Sequence, residues 1–216
     1  MIDYNNDQEV FNTFREKLTA SLVSDALDMV GVREHAMKSE VHPIYPGAVV
    51  IGWAYTLQVV EIYDTSVGSF CGVLDCVNSL KANDVLVMGC NGSMRAAVWG
   101  NMLATAAQIR GASGMVCDGV IRDVSELAAM EFPSFASGTS TLNSRDRMMV
   151  INSSCPVNCG GVIVNPKDIV FGDINGVVVI PKELAQEVIQ LALKRAEDEA
   201  QLLSRLLKGE PVSVCF

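Results

Sequence analysis

Two uninterrupted apolar runs, Val85-Leu86-Val87-Met88 and Met115-Val116-Cys117, constrain this chain more than any other feature. Both are too short for a helix, and turn signals bound them. Lys81-Ala82-Asn83-Asp84 leads into the first, and Asp118-Gly119 closes the second. Apolar runs of this length without polar alternation read as strands buried on both faces. A sheet that contains them needs cover on each side.

The flanking segments supply candidates for that cover. Val10, Phe11, Phe14 and Leu18 recur at helical spacing. Leu22, Ala26, Leu27 and Met29 mark a second helix that stops at Gly31, with Ser21 or Ser24 as its expected cap. Residues 48–62 collect β-formers and predict two strands or one bent strand. The Ala-, Leu- and Met-rich segment 95–109 predicts a core helix ended by Arg110-Gly111, and 124–130 predicts a short helix. Residues 132–136 lead into a strand. Further strands are expected at 148–152, 161–164, 169–171 and 177–180. A long charged helix should run from 182 to about 208, and its charge suits packing on another subunit. The order predicts one α/β domain over residues 1–216, with a mixed, layered sheet.

Composition narrows the function. The chain is 50% hydrophobic and 19% charged, which favours a sizeable core over disorder. Its net charge of −9, with no basic run, disfavours nucleic-acid binding, which relies on basic surface. The acidic start Met1-Ile2-Asp3 lacks the basic region of a secretory signal, and no apolar stretch is long enough for a membrane span. A soluble cytoplasmic protein is expected. Seven scattered cysteines read as free, mostly buried thiols of a reducing compartment. Neither histidine, His35 or His42, lies near the Cys155–Cys159 pair, which argues against zinc.

No P-loop, dinucleotide fingerprint, nucleophile elbow or H-E-x-x-H motif is present. A Ser–His hydrolase would have to use His35 or His42 in an otherwise ordinary segment. Two segments stand out instead. In Gly89-Cys90-Asn91-Gly92-Ser93, glycines between a strand and a helix leave backbone N–H groups able to face an anion, or simply form a turn. In Arg110 to Asp123, a short strand and a Gly turn deliver Arg122 beside Asp123. The carboxylate suits Mg²⁺ or Mn²⁺, and the guanidinium suits a substrate carboxylate, although a surface ion pair has the same sequence.

These segments carry a resemblance to the RraA-like family. Trp99-Gly100, Arg110-Gly111, Asp118-Gly119 and Arg122-Asp123 are similar to its central signature. Ser24-Asp25-Ala26-Leu27-Asp28, Pro46-Gly47, Gly160-Gly161 and the run from Asp173 through Gly176 to Pro181 extend the likeness over nearly the whole chain. The family includes metal-dependent aldolases for 4-hydroxy-4-methyl-2-oxoglutarate, oxaloacetate decarboxylases, and inhibitors of ribonuclease E. The resemblance implies a layered α/β sandwich of the swivelling phosphohistidine-domain type, with N-terminal helices and a long C-terminal helix. It also implies a homotrimer or homohexamer acting on a small oxo acid.

For the site, the resemblance implies that Asp123 binds Mg²⁺ or Mn²⁺ and that Arg122 contacts substrate. Gly100 and the N–H groups of Met102 and Leu103 would hold the substrate's carboxylate end. A water then acts as base on the distal hydroxyl, and cleavage leaves a pyruvate enolate, which oxaloacetate decarboxylation shares. In the aldolases an acidic residue stands about twenty residues before Arg-Asp, and here that position is Asn101. An amide accepts a hydrogen bond but lacks charge and basicity. A glutamate from a neighbouring subunit's C-terminal helix falls on Glu199, with Glu197 second. Two other readings share the scaffold: an enzyme for a different keto or hydroxy acid, and a non-catalytic regulator that binds a protein partner.

Overall fold

A computed structural model describes residues 7–64 and 71–215. Its helices are α1 (Asp7–Lys17), α2 (Ala20–Met29), α3 (Cys71–Ser79), α4 (Asn101–Ile109), α5 (Val124–Ala129), α6 (Ala185–Leu207) and α7 (Val212–Cys215). The strands are β1 (His42–Pro43), β2 (Val50–Glu61), β3 (Asp84–Gly89), β4 (Gly114–Cys117), β5 (Val120–Ile121) and β6 (Ser134–Ala136). They continue as β7 (Gly138–Thr139), β8 (Met148–Ser153), β9 (Val157–Cys159), β10 (Val162–Val164), β11 (Ile169–Asp173) and β12 (Gly176–Ile180).

The main sheet runs β1-β6-β4-β3-β2-β11-β12, and β8 also pairs with β2. The pairs β2–β3, β3–β4 and β4–β6 are parallel, whereas β1, β8, β11 and β12 join antiparallel. Residues 48–62 therefore yield one long strand, β2. Its start pairs with β11 and its end with β8, and the register shifts between Gln58 and Val59.

The period-two alternation of side chains builds the layers. Val85, Val87, Val116, Val170, Val177 and Val179 pack on one face of the sheet, where the β9–β10 hairpin closes over them. Leu86, Met88, Met115 and Cys117 face the other way and pack with residues of α3, α4 and α5. Ile169, Phe171, Val178 and Ile180 meet α1, α2 and α6. Two helical groups thus cover the outer face, and the inner face packs on itself and the hairpin. Each fully buried branched or aromatic side chain contributes about 1.5–3 kcal/mol of transfer free energy. The hairpin turns at Gly160 and Gly161, whose φ angles of 58° and 88° are those a two-residue turn requires.

Several expectations need correction. Thr19, not Ser21 or Ser24, caps α2 by accepting from the Leu22 N–H, and Asp173 accepts the Ala20 N–H. The helix expected over 95–109 begins only at Asn101. Residues 97–99 are held out of the helix because their backbone pairs elsewhere: Ala97 N–H donates to Leu142, Val98 N–H to Val120, and Trp99 accepts from Arg122. Those tertiary bonds override the helix propensity of the alanines. Helix α3 and the short strands β1, β5, β7 and β9 were not expected from the sequence. The C-terminal helix follows a 3-10 turn at Lys182–Leu184, and only Val188, Ile189 and Ala192 in its first half are fully buried. Among the described residues no helix is long and apolar enough to cross a membrane.

Candidate functional site

Backbone pairing brings two distant segments to one corner. Segment 97–99 lies beside β5, held by Val98 N–H to Val120 O and Arg122 N–H to Trp99 O, both 3.0 Å. This pairing sets Gly100, at the N-terminus of α4, against Arg122 and Asp123, at the N-terminus of α5. A Cβ on residue 100 would sit 2.5 Å from Asp123 Oδ2 and 3.1 Å from Arg122 Cγ, so a larger residue would displace these side chains. Its φ of −173° is ordinary extended backbone. The requirement is for space.

Asp123 adopts the left-handed conformation, φ 58° and ψ 40°. For a residue with a Cβ this costs roughly 1–2 kcal/mol, and such strain concentrates at functional sites. Its Oδ2 accepts the Asn101 N–H at 3.1 Å and lies 3.6 Å from Arg122 Nε. Both side chains are about one-third exposed, at 39% for Arg122 and 34% for Asp123. The pair opens onto a cleft of about 490 Å³ between α3 and α4, lined on one side by Gly100, Met102 and Leu103. As first-turn residues, Met102 and Leu103 have N–H groups with no partner inside the helix, and Gly100 has no side chain to cap them. Unpaired donors at the positive end of a helix dipole are suited to an anionic group.

The structure therefore gathers Gly100, Asn101, Met102, Leu103, Arg122 and Asp123. Asn101 meets Asp123 through its backbone, and its side chain does not line the cleft. Glu199 is elsewhere in the chain. It sits on α6, in the other helical group, bonded to Arg195 at 3.4 Å in a groove with Lys17, Leu22 and Leu203. Sequence reading missed the apolar wall of the cleft, Leu74 and Val77, because α3 went unrecognised.

The Gly89–Ser93 loop does not offer its N–H groups to a ligand. Asp118, a buried carboxylate, takes the Cys90 and Gly92 N–H groups, so the anion is the protein's own. Beneath it, Cys90, Cys117 and Cys159 are free and buried. The Cys90 thiol is pushed well above its usual range by its hydrogen bond with Cys117 and by burial, and that of Cys159 by burial. Thiols held protonated in this way are poor nucleophiles.

His35 does contact a serine. Its Nε2 lies 2.8 Å from Ser24 Oγ, and its Nδ1 lies 2.7 Å from Val32 O. Ser24 lies inside α2, however, where backbone N–H groups serve the helix and leave no oxyanion donors beside it. The contact ties α2 to the following loop.

Comparison with known proteins agrees with this architecture. The family model described as RraA-like, Aldolase/RraA, matches residues 20–179. A Halalkalibacterium halodurans protein with the provisional name 4-hydroxy-4-methyl-2-oxoglutarate aldolase is 34% identical over 192 residues, 88% of this chain and 86% of that protein. Protein DlpA of Legionella pneumophila is 30% identical over 187 residues; the match takes in 87% of this chain but spans only 30% of DlpA. Among solved structures, Streptomyces coelicolor RraAS2, described as an unusual member of the RNase ES inhibitor RraA family, superposes with a TM-score of 0.80. It is 26% identical, with 93% of this chain and 97% of that chain covered.

Proposed function

The chain belongs to the RraA-like family, and on that premise we propose that it is a lyase cleaving a C–C bond of a 2-oxo acid through a pyruvate enolate. The carrying observation is the corner where Gly100 packs against Arg122 and Asp123 at the mouth of a cleft. An aldolase-named relative of similar length supports the reaction class.

The donor set fits a hard divalent cation. One oxygen of Asp123 is engaged by Asn101, and the carboxylate remains partly exposed to the cleft. Among the described residues no cluster of three His, Cys, Asp or Glu side chains could hold an ion. A single carboxylate is nonetheless a common arrangement for Mg²⁺, which keeps several waters and leaves positions for substrate oxygens. When bound, Mg²⁺ or Mn²⁺ supplies Lewis-acid stabilisation of the developing negative charge.

The chain's own groups do the rest. The N–H groups of Met102 and Leu103 bind the substrate carboxylate at the start of α4. Arg122 provides a further positive charge to that end and to the enolate oxygen as it develops. Gly100 allows both to sit within reach of Asp123. In aldol cleavage the 4-hydroxyl proton leaves to solvent, the C3–C4 bond breaks, and its electrons pass to C3 of the enolate. In oxaloacetate the same bond breaks with loss of CO₂. Asn101 stands where the aldolases have a carboxylate, and it holds Asp123 through its backbone N–H. Glu199 would join the site from a neighbouring copy in a trimer or hexamer.

Pyruvate release from oxaloacetate tests this reading. Asp123→Ala and Arg122→Ala should each lose on the order of 10²-fold in rate, the scale for a principal electrostatic stabiliser. If both folded variants keep wild-type rates, the assignment is wrong. Asn101 and the likeness to RraAS2 favour one alternative, a regulator that binds a protein partner. Absence of turnover on every oxo acid, with a stable partner complex, would support it.

A further inference from the structure

We infer that the cleft selects a 2-oxo acid whose distal substituent is neutral and apolar, not one that ends in a second carboxylate. This rests on the oxo-acid reading above and specifies the substrate class for it.

The cleft has two unlike ends. At one are the Met102 and Leu103 N–H groups, Arg122 and Asp123. Away from them, α3 contributes Leu74 and Val77 and α4 contributes Leu103 and Ala106, and the polar groups on the rest of the lining, Asn78, Asn143 and Ser144, are uncharged. Arg122 is the only cationic side chain lining the cleft among the described residues, and it already lies 3.6 Å from a carboxylate. The side-chain charges of the lining sum to zero.

Two nearby cations, Arg110 and Arg147, are committed elsewhere. Arg110, behind α3, donates to Asn78 Oδ1, Asn78 O and Ala106 O. Arg147 donates to the carbonyls of Asn143 and Arg145. A carboxylate placed against Leu74 would give up part of its hydration without gaining a counter-charge, which is unfavourable. An alkyl group in the same place gains by leaving water. The fitting substrates are 4-hydroxy-2-oxo acids with an alkyl or aryl group on C4. Cleavage of C3–C4 then gives pyruvate and an apolar aldehyde, with one proton leaving the hydroxyl and one added at C3.

The test pairs 4-hydroxy-2-oxoheptanoate, which carries a propyl group, with 4-hydroxy-2-oxoglutarate, which carries a carboxylate. Both are assayed for pyruvate release at saturating Mg²⁺. Calorimetric binding of the uncleavable 2-oxoheptanoate and 2-oxoglutarate runs in parallel. Expected is at least a tenfold preference for the propyl compound in kcat/KM and in binding, in line with selection by a hydrophobic pocket. Leu74→Arg, at a partly exposed position on the apolar wall, should shift both ratios tenfold or more toward the dicarboxylate. Equal or reversed preference in the wild-type protein overturns the inference but leaves the lyase reading intact if pyruvate is released. A tenfold binding preference without any cleavage supports the inference and removes the lyase reading. If neither uncleavable acid binds, the inference is overturned.

Discussion

Replacing Gly100 by alanine isolates the geometry of the site from the fold. The backbone there, at φ −173° and ψ −177°, suits alanine, so no backbone strain arises. The new methyl would start 2.5 Å from Asp123 Oδ2 and 3.3 Å from Arg122 Nε. Non-bonded atoms rest at about 3.5–4.0 Å, so the carboxylate oxygen must retreat by roughly 1 Å. That movement breaks its 3.1 Å bond from the Asn101 N–H. A hydrogen bond to a charged group is worth about 1.5–3 kcal/mol. Asp123 is 34% exposed, and water recovers part of this. A loss of about 1 kcal/mol is expected, or a fall in Tm of roughly 2–4 °C for a chain of this size. Activity should suffer far more, because a displacement near 1 Å at a reacting centre costs on the order of 10²-fold. Thermal unfolding and pyruvate release measured on the same preparation decide the matter. If kcat/KM stays at the wild-type value while Tm drops as expected, the Arg122–Asp123 corner is not where the chemistry happens.

Dialysis against EDTA should abolish pyruvate release and Mg²⁺ or Mn²⁺ should restore it; full activity in chelator would exclude the divalent ion. Asp123→Gly should be about 1 kcal/mol more stable than Asp123→Ala, since glycine relieves the left-handed strain, yet both should be inactive; equal unfolding midpoints would contradict the strain. Asn101→Asp should tighten Mn²⁺ binding by placing a second carboxylate near Asp123, and titration calorimetry that finds no change would separate residue 101 from the ion. Light scattering should find a trimer or hexamer, and a fully active monomer would remove Glu199 from the mechanism.

The sequence shows parts of this structure more clearly than others, for physical reasons. The runs at 85–88 and 115–117 were legible as strands because they are apolar throughout, and they are buried on both faces. The caps at Thr19 and Asp173 were not, because the second donor–acceptor pair joins residues 153 apart. Residues 95–100 misled because alanine favours a helix locally, while the backbone of 97–99 is used by β5 and the 142–143 turn. Arg122 and Asp123 were legible as a pair. That a Cβ at Gly100 would push on Asp123 and Arg122 became apparent only once α4 and α5 were placed side by side. The same holds for Asp118, whose position in sequence gives no sign that it occupies the anion site of the Gly89–Ser93 loop.

The division of β2 between two partners also predicts how the protein should breathe. Trp53 and the residues before it pair with β11, whereas Leu57 to Glu61 pair with β8, and the strand's other edge is held by β3 over residues 53–58. Detaching the β11–β12 hairpin would expose the amides that Val50 to Trp53 turn toward β11. Detaching β8 would expose those that Leu57 to Glu61 turn toward it. Amide exchange along this one strand should therefore fall into separate classes: the Ala54 amide, which donates to Asp168 O just before β11, opens with the hairpin, whereas an amide on the β3 side, such as that of Trp53 donating to Asn83 O, does not. A single strand would then report separately on the opening of each half of the molecule.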